Sequence, residues 1–198
     1  VKPEYLIPLL AYLLGSIPSG YLLIRAKEGK DIRSFGSGNI GASNVFRRNR
    51  LTGILTLLLD AGKGYLAVTL AGWLGGSLVW QAAAAFLAIF GHIFTLWLRF
   101  KGGKGVATGC GAYLALSPVA VLTALGLFVL ILSLTRYISA SSIGAAAFFP
   151  LSAYFCGEPA PVLVWAALGG VLIIAKHHQN IRRLIAGTEN KLVFGTRS

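Results

Sequence analysis

Acidic side chains are scarce in this chain of 198 residues: Asp and Glu number 6 against 18 Lys and Arg, for a formal net charge of +12. So few carboxylates leave no pair placed for two-carboxylate acid/base hydrolysis and no cluster to hold Mg²⁺. Charge of either sign is thin as well. Charged residues make up 12% and apolar ones 56%, whereas a soluble domain carries about 25% charge. With a mean hydropathy of +0.73, the chain could not cover its own surface with polar groups. An ordinary soluble enzyme, a disordered chain and a coiled coil are excluded. The two cysteines, Cys110 and Cys156, form no disulfide framework and no metal or redox spacing, and are expected to be small core residues. No Gly-x-Ser-x-Gly nucleophile elbow occurs. What remains is an all-α integral membrane protein.

Apolar runs are what the chain has in quantity. A crossing takes about 20 largely apolar residues, and candidates lie at 5–24, 51–74, 80–98, 106–134, 137–156 and 162–175. Ser16-Ile-Pro-Ser-Gly20 is no small-residue cleavage site, so the first run is expected to be retained, kinked near Pro18. The run 106–134 is long for one crossing and is broken at Ser117-Pro118. Of the 18 Lys and Arg, 15 fall in three segments: seven in 25–50, three in 99–104 and five from Lys176 to Arg197. The loops 75–78 and 157–161 hold none. Because the basic residues alternate with apolar runs, they read as membrane-flanking loops, and no nucleic-acid partner is expected. Positive loops stay in the cytoplasm. The three segments are therefore placed inside, the N-terminus outside and the C-terminus in the cytoplasm. An odd number of crossings follows: five if 106–134 crosses once, seven if it folds back at Ser117-Pro118. The expectation is about seven, with 106–116 short and only partly inserted. Residues 1–198 then form a single polytopic domain with motif segments at about 25–50, 99–108 and 176–191.

Those segments mix glycine with cations. The first reads Gly36-Ser-Gly-Asn-Ile-Gly-Ala-Ser-Asn-Val-Phe-Arg47. Its Gly36-x-Gly38-x-x-Gly41 spacing matches a dinucleotide fingerprint, but that motif needs a βαβ setting, and apolar helices flank it here. The glycines still let backbone N–H groups approach an anion, and a helix beginning near Gly41 would aim its positive end there. Ser37, Asn39, Ser43 and Asn44 add neutral donors and Arg47 a bidentate one; a flexible polar loop is the plain alternative. The second segment, Arg99-Phe-Lys-Gly-Gly-Lys-Gly-Val-Ala-Thr108, is no P-loop, since position 98 is Leu and Gly105 follows Lys104. Lys101, Gly102, Gly103 and Lys104 read as a second anion cradle, or as a positive loop with helix-breaking glycines. In the third, Lys176-His-His-Gln-Asn-Ile-Arg-Arg183, His177 and Asn180 share a face if the last helix continues. The plain alternative is an amphipathic tail. His177 and His178 diverge on a helix and have no convergent acid or thiol, so no metal site is expected. Asp60 and Lys63, three apart on one helical face, read as a buried ion pair, and His92 as a packed hydrogen-bonding group. Ser139, Ser141 and Ser142 stand at a helix start, either capping it or facing the site.

Three such segments meeting on one membrane face would suit small phosphorylated substrates, with apolar helices to hold an acyl chain. Lacking a strong nucleophile, such a pocket needs a donor that is already activated. The segments resemble those of the bacterial acyl-phosphate:glycerol-3-phosphate acyltransferases. Gly36-Ser-Gly-Asn-Ile-Gly-Ala-Ser-Asn-Val-x-Arg47 is similar to that family's first cytoplasmic motif, and Phe100-Lys-Gly-Gly-Lys-Gly-Val-Ala-Thr108 to its second. His177-x-x-Asn180-Ile-x-Arg183-Leu, with Gly187 and Glu189 beyond, is similar to its third. Asp60-x-x-Lys63-Gly64 and Gly91-His92 also fit, and His178-Gln179 departs from the pattern. The His-x₄-Asp pair of the soluble glycerolipid acyltransferases is missing: Trp97, Arg182 and Arg183 stand five beyond His92, His177 and His178.

The resemblance implies a seven-helix inner-membrane enzyme with its site on the cytoplasmic side. It implies acyl transfer from acyl phosphate to glycerol 3-phosphate, using neither acyl-CoA nor a metal, and no cofactor is expected. By resemblance, Ser37, Arg47, Lys104, His177 and Asn180 line the site. Arg47 and Lys104 are then expected to bind phosphate, with Lys101 alongside. The Ser37-Gly38-Asn39 backbone and the Gly102-Gly103 turn would cradle a second phosphoryl group, and Ser142 would donate to a substrate oxygen. His177 would hold or deprotonate the attacking hydroxyl with Asn180 beside it, unless a substrate phosphate is the base. Expected partners are glycerol 3-phosphate, acyl phosphate and membrane lipid, with the soluble acyl-phosphate-producing enzyme a candidate for docking. A transporter for a phosphorylated anion and a non-catalytic membrane scaffold are the competing classes.

Overall fold

A computed structural model describes residues 2–192, which are helical with no strand; Arg197, counted with the basic tail, lies outside them. The helices are α1 (Ile7–Ser16), α2 (Ser19–Glu28), α3 (Ala42–Arg48), α4 (Arg50–Trp73), α5 (Leu78–Ile93), α6 (Val106–Leu114), α7 (Pro118–Thr135), α8 (Ile138–Phe155), α9 (Ala160–Lys176) and α10 (His178–Ile185). Their ends follow local chemistry. Pro18 separates α1 from α2, and Pro118 opens α7 at the position where its missing N–H costs least. The Asn49 side chain caps α4 by accepting from the Thr52 N–H at 3.0 Å.

Among the described residues, Pro3–Glu28, Arg50–Trp73, Leu78–Leu98, Pro118–Thr135 and Ile138–Phe155 are each long and apolar enough to cross a membrane. The pair α9–α10, bent by 56°, makes a sixth when taken together as one broken span. Helix α6 has nine residues, about 14 Å of rise, roughly half the depth of a hydrocarbon core. Polarity is arranged as lipid demands. Leu51, Leu58, Leu122, Val129 and Leu134 point outward, while Ala82, Ala84, Ala85 and Ala88 of α5 are buried.

Helix α5 is the hub, packing on α1, α4, α6 and α9, while α7 pairs with α8 and α8 with α9. Backbones approach closely where side chains vanish. A Cβ on Gly15 would overlap the Ala88 backbone, and one on Gly91 the carbonyl of Tyr12, so α1 and α5 meet at glycine. The main apolar core, with Val68, Ile89, Ile93, Tyr113, Phe149 and Val162, fills the space between α4, α5, α6, α8 and α9. The cysteines depart from expectation. Cys110 is half-buried and Cys156 is exposed just beyond the end of α8, so neither is a full core residue.

Candidate active site

The basic segments come together at one end of the bundle, around a cavity of about 360 Å³. Ser37, Asn39, Arg47, Lys104, His177 and Asn180 line its polar end, together with Ser139, Ser142, Arg183 and Glu189. From there the cavity runs inward along Cys110, Tyr113, Leu125, Phe128, Phe149 and Gly169. Its lining is polar around those groups and mainly apolar elsewhere, with Asp60 and His92 as further ionisable residues on the wall. A second hollow shares Ser37, Asn39, Lys104, Asn180 and Arg183 with the first, and adds Arg33, Gly38, Lys101, Gly102 and Lys176.

The first segment is folded around Asn44, which is fully buried. The Asn44 amide donates to the carbonyls of Asn39 (2.8 Å) and Phe35 (3.0 Å), and its Oδ1 accepts the Ser37 N–H at 3.0 Å. Gly36 and Gly38 take φ of +57° and +70°, and a Cβ on Gly36 would strike the Asn44 side chain, so glycine is required there. The Asn39 side chain accepts from the Gly41 N–H at 2.8 Å, and α3 begins one residue later. Asn44, expected to donate to an anion, instead holds the loop. Arg47 leaves α3 exposed, on the cavity wall.

The second and third segments are joined by hydrogen bonds. Lys104 Nζ donates to Asn180 Oδ1 at 2.6 Å, and Asn180 Nδ2 donates to Glu189 Oε1 at 2.7 Å. Glu189 also accepts from Ser139 Oγ (2.9 Å) and from Arg183 Nε (2.6 Å). The chain after α10 thus returns to the start of α8, where the Leu192 N–H donates to the Arg136 carbonyl at 2.7 Å. His177 sits at the break between α9 and α10, where the helix turns rather than continuing straight. Because a carbonyl only accepts, the 2.8 Å contact from His177 Nδ1 to the Ile173 carbonyl puts the proton on Nδ1 and leaves Nε2 as a lone-pair acceptor.

The charges of this network shift one another. Burial pushes the Lys104 ammonium down to about 8, with Arg183 and Arg47 adding to the fall and Glu189 opposing it. Burial works to raise Glu189, but hydrogen bonds from Asn180, Arg183 and Ser139 outweigh it and hold the carboxyl below its usual range.

Several expected roles change. The Gly102 and Gly103 N–H groups donate to the carbonyls of Ile93 and His92, both at 3.0 Å, and the Gly38 N–H to the Phe35 carbonyl at 3.0 Å. These amides are therefore not free to cradle a phosphoryl group; the glycines allow close packing, and Gly103 is buried against the His92 ring. Ser142 lines the cavity, but its hydroxyl donates to the Ile138 carbonyl at 2.8 Å, so it offers a substrate its lone pairs and not its proton. Lys101 is exposed on the wall of the second hollow. Ser139, expected either to cap α8 or to face the site, faces it, while Arg183 and Glu189, which stand in the third motif with no role assigned from the sequence, hold its polar end together.

A model of the family described as glycerol-3-phosphate acyltransferase matches residues 5–187. The chain is 52% identical over 182 residues to the protein of Trichlorobacter lovleyi named glycerol-3-phosphate acyltransferase, covering 91% of this chain and 93% of that one. It is 51% identical over 190 residues to the protein of that name from Geobacter sulfurreducens, covering 95% and 97%. Among solved structures it resembles the crystal structure of PlsY (YgiH), an integral membrane glycerol 3-phosphate acyltransferase, in its glycerol 3-phosphate form. The TM-score is 0.91 at 36% identity, over 96% of each chain. The lysophosphatidic acid form gives 0.88 at 34% identity, over 96% and 95%.

Proposed function

The chain belongs to the glycerol-3-phosphate acyltransferase family, an integral membrane acyltransferase family, and from that premise we propose that its donor is acyl phosphate and its acceptor the sn-1 hydroxyl of glycerol 3-phosphate. The products are 1-acyl-glycerol 3-phosphate and inorganic phosphate, the first acylation step of phospholipid synthesis. One observation carries the reading: a single cavity joins a polar end with three cations, Arg47, Lys104 and Arg183, to a long apolar leg. An acyl phosphate has that same division, a dianionic head on a hydrocarbon tail.

The chemistry asks for positioning and charge stabilisation rather than a nucleophile of the protein's own. Acyl phosphate is a mixed anhydride. The glycerol hydroxyl oxygen attacks the acyl carbonyl carbon, the carbon–oxygen bond to the phosphoryl group breaks, and phosphate leaves with the electron pair. Lys104 and Arg47 hold the phosphoryl oxygens as charge builds on them. Asn180 orients Lys104, and the Nε2 lone pair of His177 accepts a hydrogen bond from the attacking hydroxyl. A phosphate monoester, with a second pKa of about 6, is basic enough to take the proton. The substrate phosphate therefore takes the proton, and His177 aims the hydroxyl. Ser37, Gly38, Asn39 and the Gly102-Gly103 turn shape the polar end, with Lys101 at its outer side and the Ser142 hydroxyl oxygen facing the cavity.

The chain works as one polytopic domain in the bacterial inner membrane, its N-terminus outside and its site facing the cytoplasm. The grouping of basic residues on the site's face supports this orientation. The exposed Arg25, Lys27 and Lys30 on that face offer the soluble acyl-phosphate-producing enzyme a docking surface. The test is turnover by the purified chain in detergent, supplied with acyl phosphate and glycerol 3-phosphate. Phosphate release that depends on glycerol 3-phosphate, with the acyl group found at the sn-1 oxygen, is expected. Release independent of glycerol 3-phosphate, or none, overturns the reading.

A further inference from the structure

One buried cluster of charges is left unused by this mechanism. Asp60 and Lys63 lie one turn apart on α4 and His92 on the last turn of α5, all three buried. Lys63 Nζ is 2.8 Å from Asp60 Oδ1 and 3.0 Å from His92 Nδ1, and donates to the Ile17 carbonyl at 2.7 Å. Ionisable groups in an apolar layer are costly unless paired, which explains why Asp60 and Lys63 face each other. It does not explain the histidine. An ammonium has no lone pair, so His92 Nδ1 must be the acceptor of the Lys63 contact. The imidazole is thereby held neutral, in one orientation, with its proton on Nε2.

That oriented ring is what the second basic segment packs on. A Cβ on Gly103 would overlap His92 Nε2. The Gly103 and Gly102 N–H groups donate to the carbonyls of His92 and Ile93, both at 3.0 Å, groups otherwise left unpaired at the end of α5. Lys104 comes next in the chain and reaches Asn180 at 2.6 Å. The Ile17 contact ties the α1–α2 break into the same arrangement.

We propose that Asp60, Lys63 and His92 are positioning residues for the acyl transfer described above, on which the inference rests. They fix the His92 ring, the ring fixes the Gly102–Gly103 turn, and the turn sets the Lys104 ammonium at the polar end of the cavity. Asp60 and His92 also line the cavity; the role proposed for them is exerted through Lys104.

A double-mutant cycle on the full chain in detergent tests this, with glycerol 3-phosphate binding read by calorimetry and kcat/KM read with acyl phosphate as donor. His92→Ala and Lys104→Ala are each expected to weaken glycerol 3-phosphate binding by about tenfold or more, and the double variant to bind no worse than Lys104→Ala alone. His92→Asn places an amide oxygen where Nδ1 stood and is expected to bind within about threefold of the unaltered chain. His92→Gln reaches past that point, leaves Lys63 without its acceptor and is expected to lose about as much as His92→Ala; it also gives the contrast with His92→Asn should His92→Ala fail to fold. Additive losses in the cycle, unaltered binding in His92→Ala, or equal losses in the Asn and Gln variants overturn the proposal. The binding arm contains no acyl donor, so failure of acyl phosphate to react overturns the donor assignment alone.

Discussion

Asn180 uses the two ends of one amide for opposite purposes: its oxygen receives Lys104 and its nitrogen serves Glu189. Asn180→Asp keeps the shape but turns a donor into a second carboxylate facing Glu189. Hydrogen bonds to charged groups are worth about 1.5–3 kcal/mol, so kcat/KM is expected to fall about ten- to a hundredfold, measured by phosphate release. The pH profile follows from Lys104 and the substrate phosphate. Lys104 in the folded chain loses its proton at about 8, below the ordinary lysine range; its charge is present below that pH and lost as pH rises through it. The kcat/KM for these anionic substrates should therefore decline above about pH 8, and Lys104→Arg should remove that limb, because a guanidinium keeps its proton. On the acid side, a limb near about 6 is expected from the substrate phosphate and should persist in His177→Gln. A limb that vanishes in that variant reassigns the base to His177. Residue types were legible at this scale: Ser37, Arg47, Lys104, His177 and Asn180 all reach one cavity. Which polar atoms are already engaged was not. Asn44, Ser142 and the Gly102–Gly103 amides look like free donors in the sequence, and only the folded chain supplies the carbonyls that occupy them.

The placing of Lys104 depends on how closely α6, the short helix it precedes, can lie against α4. A Cβ on Gly111 would collide with the backbone of Ala61, and one on Gly64 with the carbonyl of Thr108. These helices touch backbone to backbone, the close approach that small residues permit in membranes. Gly111→Ala must push α6 away or fail to pack, at a cost of about 1–3 kcal/mol, seen as a lowered midpoint in a thermal melt in detergent. Gly126→Ala on α7 meets nothing within 4 Å and should leave the melt unchanged; equal losses at the two sites would refute close packing as the cause. Some breaks between elements could be read from sequence. Pro18 and Ser117-Pro118 interrupt helices where proline chemistry says they should. The 56° turn at His177 could not, since no proline or glycine marks it. It accompanies the return of the tail, which Glu189 fastens to Ser139, and a contact 50 residues away in the chain leaves no local signature.

For the molecule as a whole, the alternation of apolar runs with basic loops gave the all-helical membrane architecture, because lipid leaves the backbone few other ways to satisfy its hydrogen bonds. The interior space was not legible, since a cavity is set by which small residues happen to face one another. Gly169 on α9 illustrates this. It lines the apolar leg, where a Cβ would come 3.2 Å from Ile89 Cδ1 and 3.7 Å from the Tyr113 hydroxyl. Those neighbours are side-chain ends that can give way, so substitution should take space from the cavity before it unfolds the protein. Each methylene kept out of an apolar pocket costs about 0.8 kcal/mol, roughly fourfold in kcat/KM. The series Gly169→Ala and Gly169→Val should therefore lower kcat/KM in steps for the longest acyl phosphates and spare the shortest ones, with the KM for glycerol 3-phosphate unmoved. Equal losses for all chain lengths would mean that the acyl chain does not run along this wall, and the apolar leg would lose its assigned occupant while the polar end kept its own.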